Sequence, residues 1–176
     1  MQRYYSQAFC VVGSLIEKNG KIALVKESVR NNPDDGKWNQ PAGWLDVGEN
    51  PIVGVKRETE EETGFIFTPT AILGIYSLVR KDLEKKSNGK GTPHAIKIIF
   101  IGETNTDSPK KFYDDIVDLK WFKPEEIYAM DSSTLRDADI KQLVKDYFAG
   151  KKYPLELIKH FVQINLNFHK LDKIVL

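Results

Sequence analysis

An α/β fold is predicted, on three observations along the 176 residues. β-prone runs at 8–17 and 21–26 flank Lys18-Asn19-Gly20, and the Asn-Gly pair is a short-range hairpin signal. One helix is marked at both ends, by Pro51, suited to a first turn, and by Gly64, suited to the position just past the last. After it come further β-prone runs at 71–79 and 94–101, expected to pair across a polar, Lys/Gly-rich connection at 80–92.

At this length the chain can bury one proper core with an appendage, and two full domains are not expected. With 41% hydrophobic and 29% charged residues the composition is that of a globular protein, and a net charge of +1 points to no particular partner. No apolar run approaches the roughly 20 residues of a membrane span. The start of the chain, with Arg3, Tyr4, Tyr5 and Gln7, lacks a signal-peptide core. The lone Cys10 lies in the apolar run Ala8-Phe9-Cys10-Val11-Val12 and reads as core packing, so no internal disulfide can form and a reducing, cytoplasmic setting is expected.

Taken in order, residues 8–17 and 21–26 should form two antiparallel strands, and Asn31-Asn32-Pro33-Asp34-Asp35-Gly36 is a loop by composition. Trp38-Asn39-Gln40-Pro41 leads into a Gly-rich loop and then the helix. Phe65-Ile66-Phe67 starts a strand that Pro69 is expected to interrupt. A short strand at 119–122 and a short helix from Pro124-Glu125-Glu126-Ile127 follow. Residues 135–148 read as an amphipathic helix, with Ile140, Leu143, Val144, Tyr147 and Phe148 on its apolar face and Gly150 as its stop, and 155–162 as another.

The chemistry concentrates at 43–65. Glu58, Glu61 and Glu62 stand at i, i+3 and i+4 of the helix, so three carboxylates share one face while Glu60 points away. Each like-charged pair at this spacing costs a helix about 0.2–0.5 kcal/mol. A divalent cation removes the penalty, and an all-oxygen set of this kind suits a hard ion such as Mg²⁺, held by a few carboxylates, water and substrate phosphates.

Gly43, five residues, Glu49, seven residues, Arg57-Glu58, two residues, Glu61-Glu62, one residue, Gly64 and apolar Phe65 together resemble the Nudix box over its full length. Thr59 departs from it, standing where the pattern has an aliphatic residue, and Pro41-Ala42-Gly43 replaces the commoner Pro-Gly-Gly lead-in. The resemblance implies an αβα sandwich over a mixed sheet for residues 1–130. Residues 131–176 are then a C-terminal helical extension packed on the sandwich or on a second subunit, which allows a homodimer, and they are too few for a separate DNA reader. It further implies hydrolysis of a diphosphate linkage with Mg²⁺ or Mn²⁺, the ion held by Glu58, Glu61 and Glu62 with the Gly43 carbonyl. Arg57 is expected to orient Glu49 and the ligand carboxylates, and Glu49 and Gly64 are structural. The general base stays open between Glu58 and Glu61 in the box and Glu103, Asp114 or Asp115 outside it. The rival reading is a Nudix-fold ligand sensor without turnover, although such relatives usually lose box carboxylates and none is lost here.

The expected substrate is a small phosphorylated molecule, a nucleotide or other organic pyrophosphate. Trp38-Asn39-Gln40-Pro41-Ala42-Gly43 looks like the lead-in of broad-specificity Nudix phosphohydrolases, and Arg80-Lys81-Asp82 stands where many ADP-ribose hydrolases carry a proline. Trp38, Arg80, His94 and Lys97 are candidate substrate contacts, although Trp38 also reads as core packing; His160 and His169 read as surface residues. Residues 43–65 carry six acids against two bases and 80–97 six bases against two acids. That opposition suggests a mobile gate at 80–92, with hinges at Gly89 and Gly91, bringing positive charge over the acidic site.

Overall fold

The computed structural model describes residues 7–28, 34–84, 91–105 and 115–163. Two sheets carry the fold. One has the order β5 (Ala42–Trp44), β1 (Phe9–Leu15), β7 (His94–Thr104), β6 (Phe67–Val79), with β1 parallel to β7 and the other neighbours antiparallel. In the second, β3 (Lys21–Glu27) pairs antiparallel with β8 (Ile116–Phe122), so that β2 (Glu17–Lys18) and β4 (Trp38–Asn39) share its other edge. The box helix is α1 (Pro51–Thr63), and the later helices are α2 (Pro124–Ala129) and α3 (Ile140–Phe148). One buried cluster joins Val12, Ala23, Phe67 and Phe100 of both sheets to Val55 of α1. Another joins Leu15, Leu24, Trp38 and Ile99 to Ile127 of α2 and Leu143 and Val144 of α3. This is the mixed α/β arrangement expected, with helices covering apolar sheet faces.

The Asn19-Gly20 turn forms, with both residues at positive φ, but the hairpin it closes is only β2 and β3. Residues 8–17 do not make one strand. Val12 to Ile16 are buried without alternation because the chain there leaves one sheet and enters the other, so neither side of it faces water. Pro69 does not interrupt β6 either. It sits on the sheet's edge strand at a register shift between Pro69 and Ala71, where the missing N–H breaks no ladder bond the sheet requires.

The first turn expected of the C-terminal helix is not helical. Leu135 lies parallel to Trp38, whose N–H donates to the Thr134 carbonyl while its own carbonyl accepts from the Arg136 N–H. These bonds draw 134–136 into the sheet side, so α3 starts at Ile140; it ends as expected at Gly150, at positive φ. The second expected helix, 155–162, shrinks to one 3₁₀ turn at Leu155–Leu157. Tyr153 is paired both ways with Ile72 on the edge of β6, Leu155 and Ile158 pack against the core cluster beneath α1 from that tether while Leu157, Phe161 and Val162 stay exposed, and an eight-residue run is too short to hold a helix by its own propensity.

A buried ion network pins this late segment to the sheets. Arg80 donates to Asp137 Oδ1 at 2.7 Å, to Asp34 at 3.0 and 3.1 Å and to Asp82 at 2.8 Å. Lys97, only 2% exposed, donates to Asp137 at 3.3 Å and to Asp139 at 3.2 Å. Burial pushes the Asp34 carboxyl up, but Arg80, with help from Arg136 and Lys37, outweighs it and holds Asp34 below its usual range.

The packing and the ion network make separable contributions to stability. Leu143, fully buried on α3, fills space between the helix and the sheets, so Leu143→Ala should cost about 2–5 kcal/mol by leaving a cavity; chemical denaturation of the variant gives the figure directly. Arg80→Ala should cost about 3 kcal/mol near neutral pH, at the low end for a broken buried pair, because Asp34 keeps Lys37 and Arg136 and Asp137 keeps Lys97 as counter-charges. Because the folded-state pKa of Asp34 is depressed, its contribution is present above the ordinary carboxylate range and is lost as pH falls through the lower folded value. The gap in stability between parent and Arg80→Ala should therefore narrow in acid, and a gap constant with pH would assign Arg80 a packing role only.

Candidate functional site

The loop before α1 is shaped by short-range bonds. The Asp46 N–H donates to Glu49 Oε2 at 3.1 Å and the Glu49 N–H to the Asp46 carbonyl at 3.1 Å, with Gly48 at φ 81° closing the turn. Asn50 caps the helix by accepting from the Ile52 N–H at 2.9 Å, Pro51 fills the first position, and Gly64 ends it in the left-handed conformation. The inner face of α1 is Gly54, Val55, Thr59 and Thr63. At the departing position, Thr59 is fully buried and donates to the Val55 carbonyl at 2.7 Å, with its hydroxyl 2.9 Å from that of Ser14 on β1. The polar side chain thus meets a polar partner on the facing strand.

Arg57 gathers the acids. Its Nε and Nη2 donate to the two oxygens of Glu49 at 2.8 and 2.9 Å, a bidentate pair. Nη1 donates to Glu58 at 2.7 Å and to Glu61 at 3.2 Å, and Nη2 also reaches the Trp44 carbonyl at 3.2 Å. Glu62 is held separately, by the Ala42 N–H at 2.9 Å. Gly43, which pairs with Val12, leaves the space that the Glu58 carboxylate fills, since a Cβ there would collide with that carboxylate. Glu58 and Glu62 therefore sit against consecutive residues of β5, and Glu60 is exposed, away from them.

These acids differ electrostatically. Hydrogen bonds from Arg57 hold Glu49 below its usual range. Burial pushes Glu58 up, with Arg57 opposing and Glu61 and Glu49 adding to the rise. Glu62 is pushed well up, again first by burial, with the charges of Glu27 and Glu58 adding and the Ala42 N–H and Arg136 opposing. Desolvated acids crowded on one helix face, beside a glycine cradle shaped to one of them, fit a hard cation, which would favour their ionised forms. As placed, with Arg57 occupying one oxygen each of Glu58 and Glu61, no three acidic, imidazole or thiol groups among the described residues enclose an ion.

The other candidates fall elsewhere. Trp38 is buried, edge-on to Phe122 at 4.9 Å, with the Lys120 and Lys26 ammoniums 5.4 and 5.8 Å from its ring centre. Arg80 and Lys97 are held in the buried network, so their positive charge is matched by Asp34, Asp137 and Asp139 from other parts of the chain. The gate at 80–92 lies partly outside the described residues, as do Gly89, Asp114 and His169. His94 Nε2 is 2.9 Å from Ser77 Oγ on the neighbouring strand, Glu103 is exposed opposite Thr68, and His160 is exposed. The Asp115 carbonyl accepts from the Ser28 N–H at the end of β3.

Sequence reasoning passed over one group. Glu27 Oε1 accepts from Asn39 Nδ2 at 3.2 Å and from Arg136 Nη1, which brings a C-terminal arginine to the strand end beside the box. Asn39 and Gln40 lie in the quoted lead-in to the box, and that run was the available signal; Arg136 gave none, because it was read as part of a helix.

The chain's similarities agree with this geometry. The NUDIX domain family matches residues 5–145. Phosphatase NudJ of Escherichia coli K12 is 28% identical over 151 residues, covering 85% of this chain and 90% of that protein. A NUDIX hydrolase from Nitrosomonas europaea is 34% identical with a TM-score of 0.74, covering 88% of this chain and 98% of that one. A MutT protein from Methanosarcina mazei Go1 shares the fold, with a TM-score of 0.67 at 24% identity over 83% of this chain and 96% of its own. With the family matched over most of its length and its box carboxylates gathered on one helix face, the chain belongs to the NUDIX family of hydrolases.

Proposed function

We propose that the protein hydrolyses the diphosphate linkage of a small nucleoside di- or triphosphate, or another small organic pyrophosphate, by metal-dependent attack of water on phosphorus. The observation that carries this reading is the array on α1: Glu58 and Glu61 joined by one arginine, with Glu62 fixed on the neighbouring peptide of β5. Glu58, Glu61 and Glu62, with the Gly43 carbonyl, would hold Mg²⁺ or Mn²⁺. Bound there, the ion supplies charge neutralisation for the phosphate oxygens and a lower pKa for the attacking water.

The chain's own residues supply position. Arg57 has its donors engaged by Glu49, Glu58, Glu61 and the Trp44 carbonyl, so it acts as an organiser of the carboxylates rather than as a substrate contact. Glu58 and Glu61 share this clamp while Glu103 stands exposed on β7, which favours a box carboxylate as the base that takes the proton from water. Phosphoryl transfer depends mostly on such placement and on electrostatics. The E. coli relative is named a phosphatase, consistent with hydrolysis at phosphorus.

The test is phosphate release from a panel of nucleotides and organic pyrophosphates, with Mg²⁺ and with a chelator. Turnover should require the ion. Glu61→Gln and Glu62→Gln should each lower kcat by orders of magnitude with little change in melting temperature, while Glu60→Gln stays near the parent. Equal behaviour of all three would defeat the assignment. Gly43→Ala gives an independent check on the cradle: its Cβ displaces the Glu58 carboxylate, so activity should fall at least ten-fold in a folded protein, as judged by circular dichroism.

A further inference from the structure

Only half of the open edge of β6 is guarded. β6 is the outermost strand of its sheet, and an unpaired edge is a template for another strand unless charge, proline, a bulge or a covering segment blunts it. In the first half, Pro69, two register shifts and the pairing of Tyr153 with Ile72 do this. From 73 to 79 there is neither a proline nor a charged side chain, and among the described residues no backbone pairs with that stretch on its outer side. The Arg80 N–H donates to the Pro93 carbonyl across the ladder to β7. In an antiparallel pair the peptide groups of Tyr76 and Leu78 therefore turn inward, and those of Ile75, Ser77 and Val79 turn outward. The side chains follow the same alternation. Tyr76 faces α3, its hydroxyl donating to Asp146 at 2.9 Å, while Ile75 and Val79 are 69% and 45% exposed and Ser77 is exposed between them.

We propose that the outer edge of 75–79 pairs with the same stretch of a second copy of this chain, antiparallel about a two-fold axis at Ser77, joining the two sheets into one. Three features favour a second copy as the occupant. The stretch is symmetric: with Ser77 opposite the partner's Ser77, Ile75 meets the partner's Val79 and Val79 the partner's Ile75, so each exposed apolar side chain gains an apolar cross-strand neighbour. It carries no charge, so nothing on it repels its own copy. The charges that flank it are complementary. The same axis brings Asp82, 61% exposed just past the strand, toward the partner's Ile72, where Tyr153 is paired and exposed Lys152 precedes it. So short a ladder buries less than the roughly 800 Å² per partner of a standard stable interface, so the dimer is reversible and its population depends on concentration. The inference stands apart from the hydrolase reading and uses none of the box residues.

Sedimentation velocity over a concentration series reads the self-association, with Ser77→Lys, Ser77→Glu and an equimolar mixture of the two beside the parent. The axis sets residue 77 against its own copy, so either substitution places like charges directly opposite one another and the mixture places opposite ones. The parent should pass from monomer to dimer as concentration rises. Each variant alone should dimerise at least ten-fold more weakly, and the mixture should recover most of that loss. Because Ser77 is exposed, both variants should melt near the parent. Hydrogen exchange of the unaltered protein supplies a check that needs no variant: the amides of Ile75, Ser77 and Val79 should gain protection as concentration rises. A parent that stays monomeric throughout would overturn the proposal and leave the edge to another occupant, a peptide or a further segment of this chain. Variants that dimerise as the parent does, a mixture no stronger than its components, or exchange at those three amides that ignores concentration would each overturn it as well.

Discussion

The site depends on the clamp that Arg57 forms across the carboxylates. Acids at i, i+3 and i+4 on a helix repel one another, and α1 would be weakened by its own sequence without a counter-charge. One guanidinium answers most of this, taking Glu49 from the preceding loop in a bidentate pair and Glu58 and Glu61 from the helix through its remaining nitrogen. The flanking glycines serve the same arrangement. Gly54 lets Glu49 fold over the helix, where a Cβ would stand 2.9 Å from its carboxylate, and Gly43 makes room for Glu58. Loop, helix and strand β5 are thus fixed to one another by charge as much as by the apolar packing of Val55 beneath them.

A second set of ions fixes the late part of the chain. Asp137 and Asp139 precede α3 and receive Arg80 and Lys97 from the ends of β6 and β7, while Arg136, one residue earlier, turns to Glu27 on β3. Breaking one partner of such a buried pair is far costlier than never having built it. The segment 134–139 therefore has little freedom to shift, which explains why a stretch with helical periodicity gives up a turn. Its local preference is outweighed by pairing with Trp38 and by ion contacts on both sheets.

What could be read from the sequence follows the range of the interactions. The box helix and its ends were readable because spacing, capping Pro51 and stopping Gly64 act within a few residues. Strand boundaries were less so: the run Val11-Val12-Gly13-Ser14-Leu15-Ile16 has no apolar–polar alternation to mark where β1 leaves one sheet for the other, and Pro69 marks a bulge only once β6 is known to be an edge. Arg80 and Lys97, expected as substrate contacts, stand in a buried ion network that local counting does not show. Counting charge over 80–97 makes the segment basic, yet the acids that meet Arg80 and Lys97, namely Asp34, Asp137 and Asp139, lie 40 or more residues away in the chain, with Asp82 the one local partner. Arg136 was missed by the same logic, since its partner Glu27 is 109 residues distant.

The two arginines divide the acids unequally, and the division bears on the chemistry proposed. Arg57 reaches Glu49, Glu58 and Glu61, all from one side of the helix. Glu62 accepts a hydrogen bond from a backbone N–H, feels Glu27 and Glu58 as like charges, and has Arg136 as its opposing charge. The described protein groups thus leave Glu62 the least compensated carboxylate of the box, and it is pushed furthest toward its neutral form. A protein selected for stability alone would place an amide there. An acid kept where burial disfavours its charge makes physical sense if a cation completes the site during function, because the ion then supplies the compensation that the surrounding residues do not.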